Sequence, residues 1–404
     1  MTLPASRYDI VFLGGGAATL SLLMRLVRSG SCAGQRFLVI DSSDKKANDR
    51  TWCYWEKGAG YFEEVVHRKW SGLAVKNIGV ELDLSFDSGL DGYEYKMIRG
   101  QDFYNYCHRE LEKSGQVDFF QATVLDASFD LAQLRLVLAG FEEPVMISTE
   151  LVFNSIAPDL SALGSQKKGF INILQHFKGI TIESAELNFD TSRATLMDFC
   201  TPQTHGTSFF YVMPLERNKA LVEYTLFTPS LLTPEEYDLG LKKYIAEQLG
   251  VSNYQVLEEE FGVIPMTNYP FKFYDRGVFN IGTAGGQTKG SSGYTFRFIQ
   301  KRSDEIARIL CSESKGSDVV KKLQALSKTP GRFHFYDNVL LKVLWHHNHP
   351  GDQVFTRLFQ RNKASQVFRF LDNETSLPEE IRIISSLPTG PFLKAALKSS
   401  RLGV

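Results

Sequence analysis

The stretch that most limits what this chain can become is Tyr8 to Val27, YDIVFLGGGAATLSLLMRLV. An apolar run, Ile10 to Leu13, ends in three glycines and passes into a segment in which Leu20, Leu23, Met24 and Val27 share one helical face. The pattern reads as strand, tight turn, helix. Gly14 and Gly16 let the backbone turn sharply and approach a pyrophosphate, whose charge is met by free amides where the helix begins at Ala17 and Ala18. A second strand, Arg36 to Ile40, is closed by Asp41, where an acceptor for ribose hydroxyls is needed. Thr19 replaces the third glycine of the usual fingerprint, so the helix is expected to stand slightly off the sheet. A plain buried strand-helix unit is the alternative, but turn, second strand and Asp together favour a Rossmann-type site.

Composition narrows the class. The 404 residues allow two or three domains, because single cores stop growing near ~250 to 300 residues. Lys and Arg number 45 against 46 Asp and Glu, which gives no polyanion-binding signature, and nucleic acid is not an expected partner. Cys32, Cys53, Cys107, Cys200 and Cys311 lie singly, without metal-type spacing, as expected of buried thiols in a reducing cytoplasm. The first apolar run is the glycine-loop strand rather than a signal peptide, and no run of about 18 apolar residues offers a membrane span. Sitting on a membrane surface is still compatible with this.

After Asp41 the chain is polar and then abruptly aromatic in Thr51 to Trp55, TWCYW, aromatics that either line a large apolar pocket or plug the core. Arg50 before them is a candidate contact for cofactor phosphate or ribose. Residues 72 to 86 read as short strands, and a turn at Asp91 and Gly92 leads to a strand and a helix over about 101 to 111. Arg99 at that junction is either a solvated charge or a cofactor contact. Strands follow at 116 to 127, 133 to 139 and 150 to 154. From about Pro158 the character changes, and Gly179 to Arg193, Phe209 to Pro214 and Ala220 to Phe227 read as an antiparallel sheet inserted into the first domain. In the last of these strands Leu221, Glu223, Thr225 and Phe227 share one face, and Ala220, Val222, Tyr224 and Leu226 the other. Glu223 is the one charge in an otherwise apolar strand. It is either solvated or paired, or it belongs to a functional site.

A helix over Thr233 to Gln248, with Thr233 as N-cap, and a strand over Glu258 to Met266 come next. Val278 to Gly282 then ends in a second loop of small residues, TAGGQTKGSSGYTFRFIQKR, which runs into a helix bearing Arg297, Lys301 and Arg302. Two glycine-rich strand ends far apart in the chain suit an elongated cofactor, FAD rather than NAD. The chain is helical from about Thr329, and residues 331 to 372 hold six Phe and six Lys or Arg against three Asp, beside the stripe Leu340, Leu341, Leu344 and Trp345. This is either a helical cap or a surface that docks on anionic lipid. His346, His347 and His349 read as a polar helix end, and no metal is expected. The division is 1–157 and 271–328 for a nucleotide domain in two parts, 158–270 for a substrate domain, and 329–404 for a C-terminal helical region.

The segments GGGAATLSLL, TWCYW, LQHFKGITIES (Leu174 to Ser184), MDF (Met197 to Phe199), FFYVMPLERNKALVEYT, GVIPM and IGTAGGQTKGSSGYTF resemble, in this order, the successive motifs of the flavin-dependent lycopene cyclases. The resemblance spans nearly the whole chain. It implies an α/β two-domain FAD flavoprotein, a Rossmann-like domain with an inserted antiparallel substrate sheet, related to p-hydroxybenzoate hydroxylase and geranylgeranyl reductase. It further implies reduced FAD, NAD(P)H as reductant, and lycopene and other ψ-end carotenes as substrates of an isomerase. Attachment to the inner face of the cytoplasmic membrane, and contact with other carotenoid-pathway enzymes, go with that assignment. FAD is expected at Gly14, Gly16, Ala17, Ala18, Asp41, Arg50 and Arg99, and at Gly282, Ala284, Gly285, Gly286 and Gly293 of the second loop. That loop departs from the Gly-Asp-Ala of the hydroxylases, which argues against oxygen chemistry. The family's essential acid falls on Glu223; its usual acidic neighbour is here Tyr224, and Glu260 is the other carboxylate expected to assist. Trp52, Tyr54, Trp55, Phe209, Phe210 and Tyr211 are expected to stack on the cation or the polyene. The competing readings are a monooxygenase or a prenyl-chain reductase of the same fold, and a non-catalytic polyene binder.

Overall fold

A computed structural model describes residues 5–84, 91–160, 169–312, 316–327 and 331–400. Residues 85 and 86 of the expected short strands, and Thr329, lie outside these. The first part of the chain gives β1 (Ile10–Leu13), α1 (Ala17–Ser29), β2 (Phe37–Asp41), β3 (Thr51–Lys57), β4 (Arg68–Trp70), β5 (Gly72–Asn77), β6 (Val80–Asp83), β7 (Tyr93–Arg99) and α2 (Gly100–Ser114). Then come β8 (Val117–Gln121), β9 (Val124–Asp130), β10 (Gln133–Leu138), β11 (Val145–Ser148) and β12 (Leu151–Asn154). The middle holds β13 (Asn172–Glu183), β14 (Arg193–Asp198), β15 (Thr207–Glu216), β16 (Lys219–Thr228), α3 (Pro234–Glu247) and β17 (Gln255–Thr267). The chain continues through β18 (Tyr274–Asp275), β19 (Val278–Asn280), α4 (Phe296–Leu310) and α5 (Ser317–Ala325). It ends in α6 (Gly331–Trp345), α7 (Gly351–Arg361), α8 (Ala364–Leu371), α9 (Leu377–Ser385) and α10 (Thr389–Ser400).

The first sheet has the order β18-β19-β12-β1-β2-β8 and is parallel from β19 to β8. Covered on both faces, its central strand β1 has no polar residue and every position is buried. The glycine loop and the second small-residue loop leave the carboxyl ends of β1 and β19, which flank β12, and an open α/β sheet binds its ligand at that edge.

The second sheet has the order β17-β13-β16-β15-β14-β5-β6. It takes in β5 and β6, strands from inside residues 1–157, with β5 parallel to β14. Residues 158–270 therefore do not build this sheet alone. Alternation along β15 and β16 separates two cores. Phe210, Val212, Ala220, Val222, Tyr224 and Leu226 face α3. Phe209, Tyr211, Met213, Leu221 and Phe227 face the C-terminal helices. α3 opens with a capping box between Thr233 and Glu236, at the N-cap expected from sequence.

The C-terminal helices complete the second core rather than standing apart from it. Leu341 and Leu344 are buried in it and Leu340 partly so, leaving only Trp345 of this apolar stripe exposed, so the stripe is mainly packing surface. Buried Asp372, just after α8, accepts from Arg297 Nε at 3.3 Å, and Arg297 Nη1 reaches Glu56 Oε1 at 3.0 Å. That chain of charges ties β3, α4 and the C-terminal region together. Among the described residues no helix is long and apolar enough to cross a membrane.

Candidate functional site

The first glycine loop is shaped by clearance. Gly14 has φ +91°, and a Cβ there would lie 2.4 Å from Ser155 Oγ. The Gly15 amide donates to Asp41 Oδ2 at 2.6 Å, which places the Asp41 carboxylate beside the turn. Gly16 caps α1 without a side-chain bond, the first turn carries no acidic residue, and a Cβ at Gly16 would meet nothing within 4 Å. Uncapped amides facing open space at a helix N-terminus suit a phosphate. Thr19 is fully buried, and its hydroxyl donates to the Gly14 carbonyl at 2.7 Å, so it fastens the loop that a third glycine would leave free.

The second loop lies against the first. Gly282 has φ +61°, and a Cβ there would come within 3.1 Å of Ala18 Cβ. Around it, a Cβ at Gly285 would strike the Asn280 carbonyl at 2.1 Å, and one at Gly293 would strike Gln175 Oε1 at 2.2 Å. A Cβ at Gly286 would press on Phe271 at 3.0 Å. These three glycines are therefore demanded by the loop's own packing. Open amides, the Asp41 carboxylate and two loops in contact fit a dinucleotide cofactor.

A cavity of about 330 Å3 extends from the second loop to the second sheet. Arg50, Trp52 and Cys53 wall one side, Thr283, Thr288 and Gly293 another, and Glu223 and Tyr211 line the sheet side. Strand register accounts for that last pair. Across β17, β13, β16 and β15, the residues Glu260, Gly179, Glu223 and Tyr211 lie in one row on one face.

Glu223 is buried, 8% exposed, and accepts from Thr225 Oγ1 at 2.7 Å. Burial pushes its carboxyl well above the ordinary 4.5; the neighbouring Glu260 adds to the rise and Thr225 opposes it. Glu260 accepts from Thr51 Oγ1 at 2.7 Å, while its Oε1 is buried without a donor. Burial raises its pKa as well, opposed by the hydrogen bonds with Thr51 and Glu223. A proton on Glu223 turned toward Glu260 supplies the missing donor. Burial thus favours the acid form of both carboxyls, of Glu223 the more strongly.

A second, apolar cavity of about 440 Å3 lies between the sheet and the C-terminal helices. Trp55, Met197 and Phe227 line it with Phe335, Phe355, Phe359 and Phe370. Tyr211, Ser292 and Tyr294 border both cavities, so the apolar space meets the reaction space beside Glu223. An acid with a raised pKa at the end of a long apolar space can protonate a substrate that has no polar handle.

Other expected residues fall elsewhere. Phe210 points to the opposite face from Glu223, stacked between Tyr224 and Tyr244 with centroids 4.6 and 3.8 Å away, and does not line the cavity. Tyr224 is on that far face too, so an acid in its place would not reach the cavity. Arg99 pairs with Glu258 at 2.9 Å beside Glu260 rather than facing the glycine loops, because its place opposite Thr51 in the β3-β7 ladder turns it that way. Phe209 is fully buried in the core. Trp52 lines the smaller cavity, edge-on to Phe103, and Trp55 the larger, stacked on Phe368 at 4.6 Å. His346, His347 and His349 sit in the turns after α6. Thr51, Gly179 and Tyr294 were not singled out as site residues from the sequence, and the C-terminal phenyl rings were read as a helical cap or a docking surface rather than as a cavity lining. A lone glycine inside the β-run LQHFKGITIES is the one signal that marked Gly179.

A family model described as lycopene cyclase protein matches residues 9–397. A lycopene beta-cyclase from Pantoea ananas is 23% identical over 402 residues, covering 96% of this chain and 97% of the relative. Among solved structures, a geranylgeranyl bacteriochlorophyll reductase-like protein from Thermoplasma acidophilum superposes with a TM-score of 0.65 at 12% identity, covering 98% and 99% of the two chains. A p-nitrophenol 4-monooxygenase from Pseudomonas putida gives 0.60 at 13% identity, again over 98% and 99%. The fold is thus that of two-domain FAD-dependent enzymes, as expected from the sequence.

Proposed function

The chain belongs to the lycopene cyclase protein family, and from that premise we propose that it is a lycopene β-cyclase, closing the ψ-ends of lycopene into β-rings without net oxidation. The observation that carries the reading is the position of Glu223, a buried, proton-holding carboxyl beside the place where an apolar cavity meets the cavity in front of the second small-residue loop. Its proton adds to the terminal double bond, the neighbouring double bond attacks the resulting cation, and loss of a ring proton leaves the β-ring. Tyr211 and Tyr294 line the cavity beside this point, and aromatic rings attract cations. Water is excluded by the phenyl rings of the larger cavity.

FAD would be held by the amides after Gly16, by Asp41, by Arg50 and by the loop from Gly282 to Gly293. When bound and reduced, with NAD(P)H as the reductant, it supplies negative charge that stabilises a cation electrostatically. Glu223→Gln keeps the shape but removes the acid, and cyclisation in a lycopene-accumulating host should fall by about 100-fold or more. Full pigment conversion by that variant would refute the assignment. Product mass separates this reading from a monooxygenase or a reductase, since cyclisation leaves the mass of lycopene unchanged.

A membrane-bound substrate also needs a way in. Ile381 and Leu393 line the larger cavity while being 66% and 56% exposed, with Leu377 and Leu397 exposed on the same two helices. Arg382, Lys394 and Lys398 are exposed among them. An apolar rim with basic residues suits the surface of an anionic bilayer. The docking face proposed here is therefore α9 and α10, on the inner side of the membrane.

A further inference from the structure

Once it has given up its proton Glu223 is a buried carboxylate, and it must be protonated again. We propose that Glu260 is the inlet for that proton, taking it from water in a separate polar cavity and passing it over Gly179 to Glu223. This rests on the reading of Glu223 as the initiating acid.

Three features of the geometry support the path. Glu260 and Glu223 sit on strands that flank β13, so their backbones are about 9.6 Å apart at ~4.8 Å per strand. Gly179 lies between them in the row, and its lack of a side chain lets the Glu260 carboxyl lean across: a Cβ there would meet Glu260 Cγ at 2.9 Å and Oε1 at 3.1 Å. Space is the requirement, because Gly179 is not among the glycines with positive φ. Secondly, Glu260 Oε1 is buried without a donor, the atom to which a Glu223 proton would be shared. Thirdly, the two carboxyls line different spaces. Glu223 faces the 330 Å3 cavity, whereas Glu260 lines one of about 90 Å3 with His67, Arg99, Lys219 and the exposed Glu258, roomy enough for a few waters. Thr51 borders both and holds Glu260 in place.

The step balances. Glu223 gives its O–H proton to the substrate carbon; Glu260 in its acid form gives a proton to the Glu223 carboxylate; water in the polar cavity restores Glu260. The ring proton lost at the end of cyclisation passes to water, one proton out for each taken in.

The test uses the FAD-reduced holoenzyme equilibrated in H2O, mixed into D2O for a set delay, and then given lycopene for a single turnover. Mass spectrometry counts deuterium in the product, one per ring closed. Wild-type protein should give deuterated product at the shortest delay. Glu260→Gln should still close rings in the first turnover but return protiated product until delays about 100-fold longer, the lower end of what a positioned proton-transfer group contributes. Gly179→Ala, which leaves both carboxyls in the chain, should show the same lag. Deuterium uptake as fast as wild type in both variants would overturn the inlet. A wild-type protein that leaves lycopene uncyclised would instead overturn the reading beneath it.

Discussion

Glu223 keeps its proton because burial makes its charge costly, and that ties activity to pH in a definite direction. The folded-state pKa is raised above the ordinary 4.5, so with Glu223 as the proposed acid the rate should fall as pH rises through the raised value, read from a pH-rate profile with lycopene. Stability follows the same sign. Above the ordinary value the unfolded chain sheds the proton that the fold retains, so stability is lost from there up to the raised pKa. Glu223→Gln should therefore melt at a higher temperature than the parent at pH 8, and the two should converge near pH 4, as calorimetry can record. At this scale the sequence was partly legible. A single carboxylate in an apolar strand marked Glu223, and period-two alternation gave its face correctly. The same alternation should have separated Phe210 from Tyr211, but the shared motif drew both into one expected pocket. Gly179 and Thr51 act through what they let Glu260 do, a contact between strands far apart in sequence, and only register brings it out.

Elements carry the site through ion pairs that bridge them. Lys96 on β7 is fully buried and reaches Glu56 on β3 at 3.2 Å and Glu63 at 2.7 Å. Without Lys96, Glu56 keeps Arg297 and Glu63 keeps Lys69, so Lys96→Met loses buried charge-assisted hydrogen bonds and should cost about 2 kcal/mol in denaturant unfolding. Because Glu56 also holds Arg297, the loss should loosen β3 against α4. At the far end, the helices α9 and α10 bear the exposed rim. The double variant Leu377→Asp with Leu397→Asp should weaken flotation with anionic vesicles several-fold and slow conversion of vesicle-borne lycopene. Conversion of lycopene in detergent should change little. Helix periodicity gave the C-terminal region its secondary structure but not its exposed face. The stripe at Leu340 to Trp345 and the rim at Leu377 to Leu397 look equally apolar in sequence, and only packing against the second sheet tells them apart.

Across the whole molecule, the two sheets meet so that one acid stands at the inner junction of a long apolar space, with a polar cavity behind it. The order of glycine loops and strands in the sequence was enough to expect a flavoprotein frame. It did not reveal that β5 and β6 join the second sheet, because β14, the partner through which β5 enters it, lies over a hundred residues away. The single Glu223 has a consequence for the traffic of molecules. With Glu223 as the proposed acid, only the end of the symmetric lycopene that reaches the junction reacts, so a molecule closed at one end would have to leave, reverse and enter again. Closing its two ends is a pair of separate visits, and the half-finished molecule competes with fresh lycopene for the same entrance. When lycopene is in large excess the one-ring product should therefore build up first and fall only as lycopene is exhausted, a time course that pigment chromatography resolves. Simultaneous appearance of both rings from the earliest samples would mean that the substrate turns round without ever letting go.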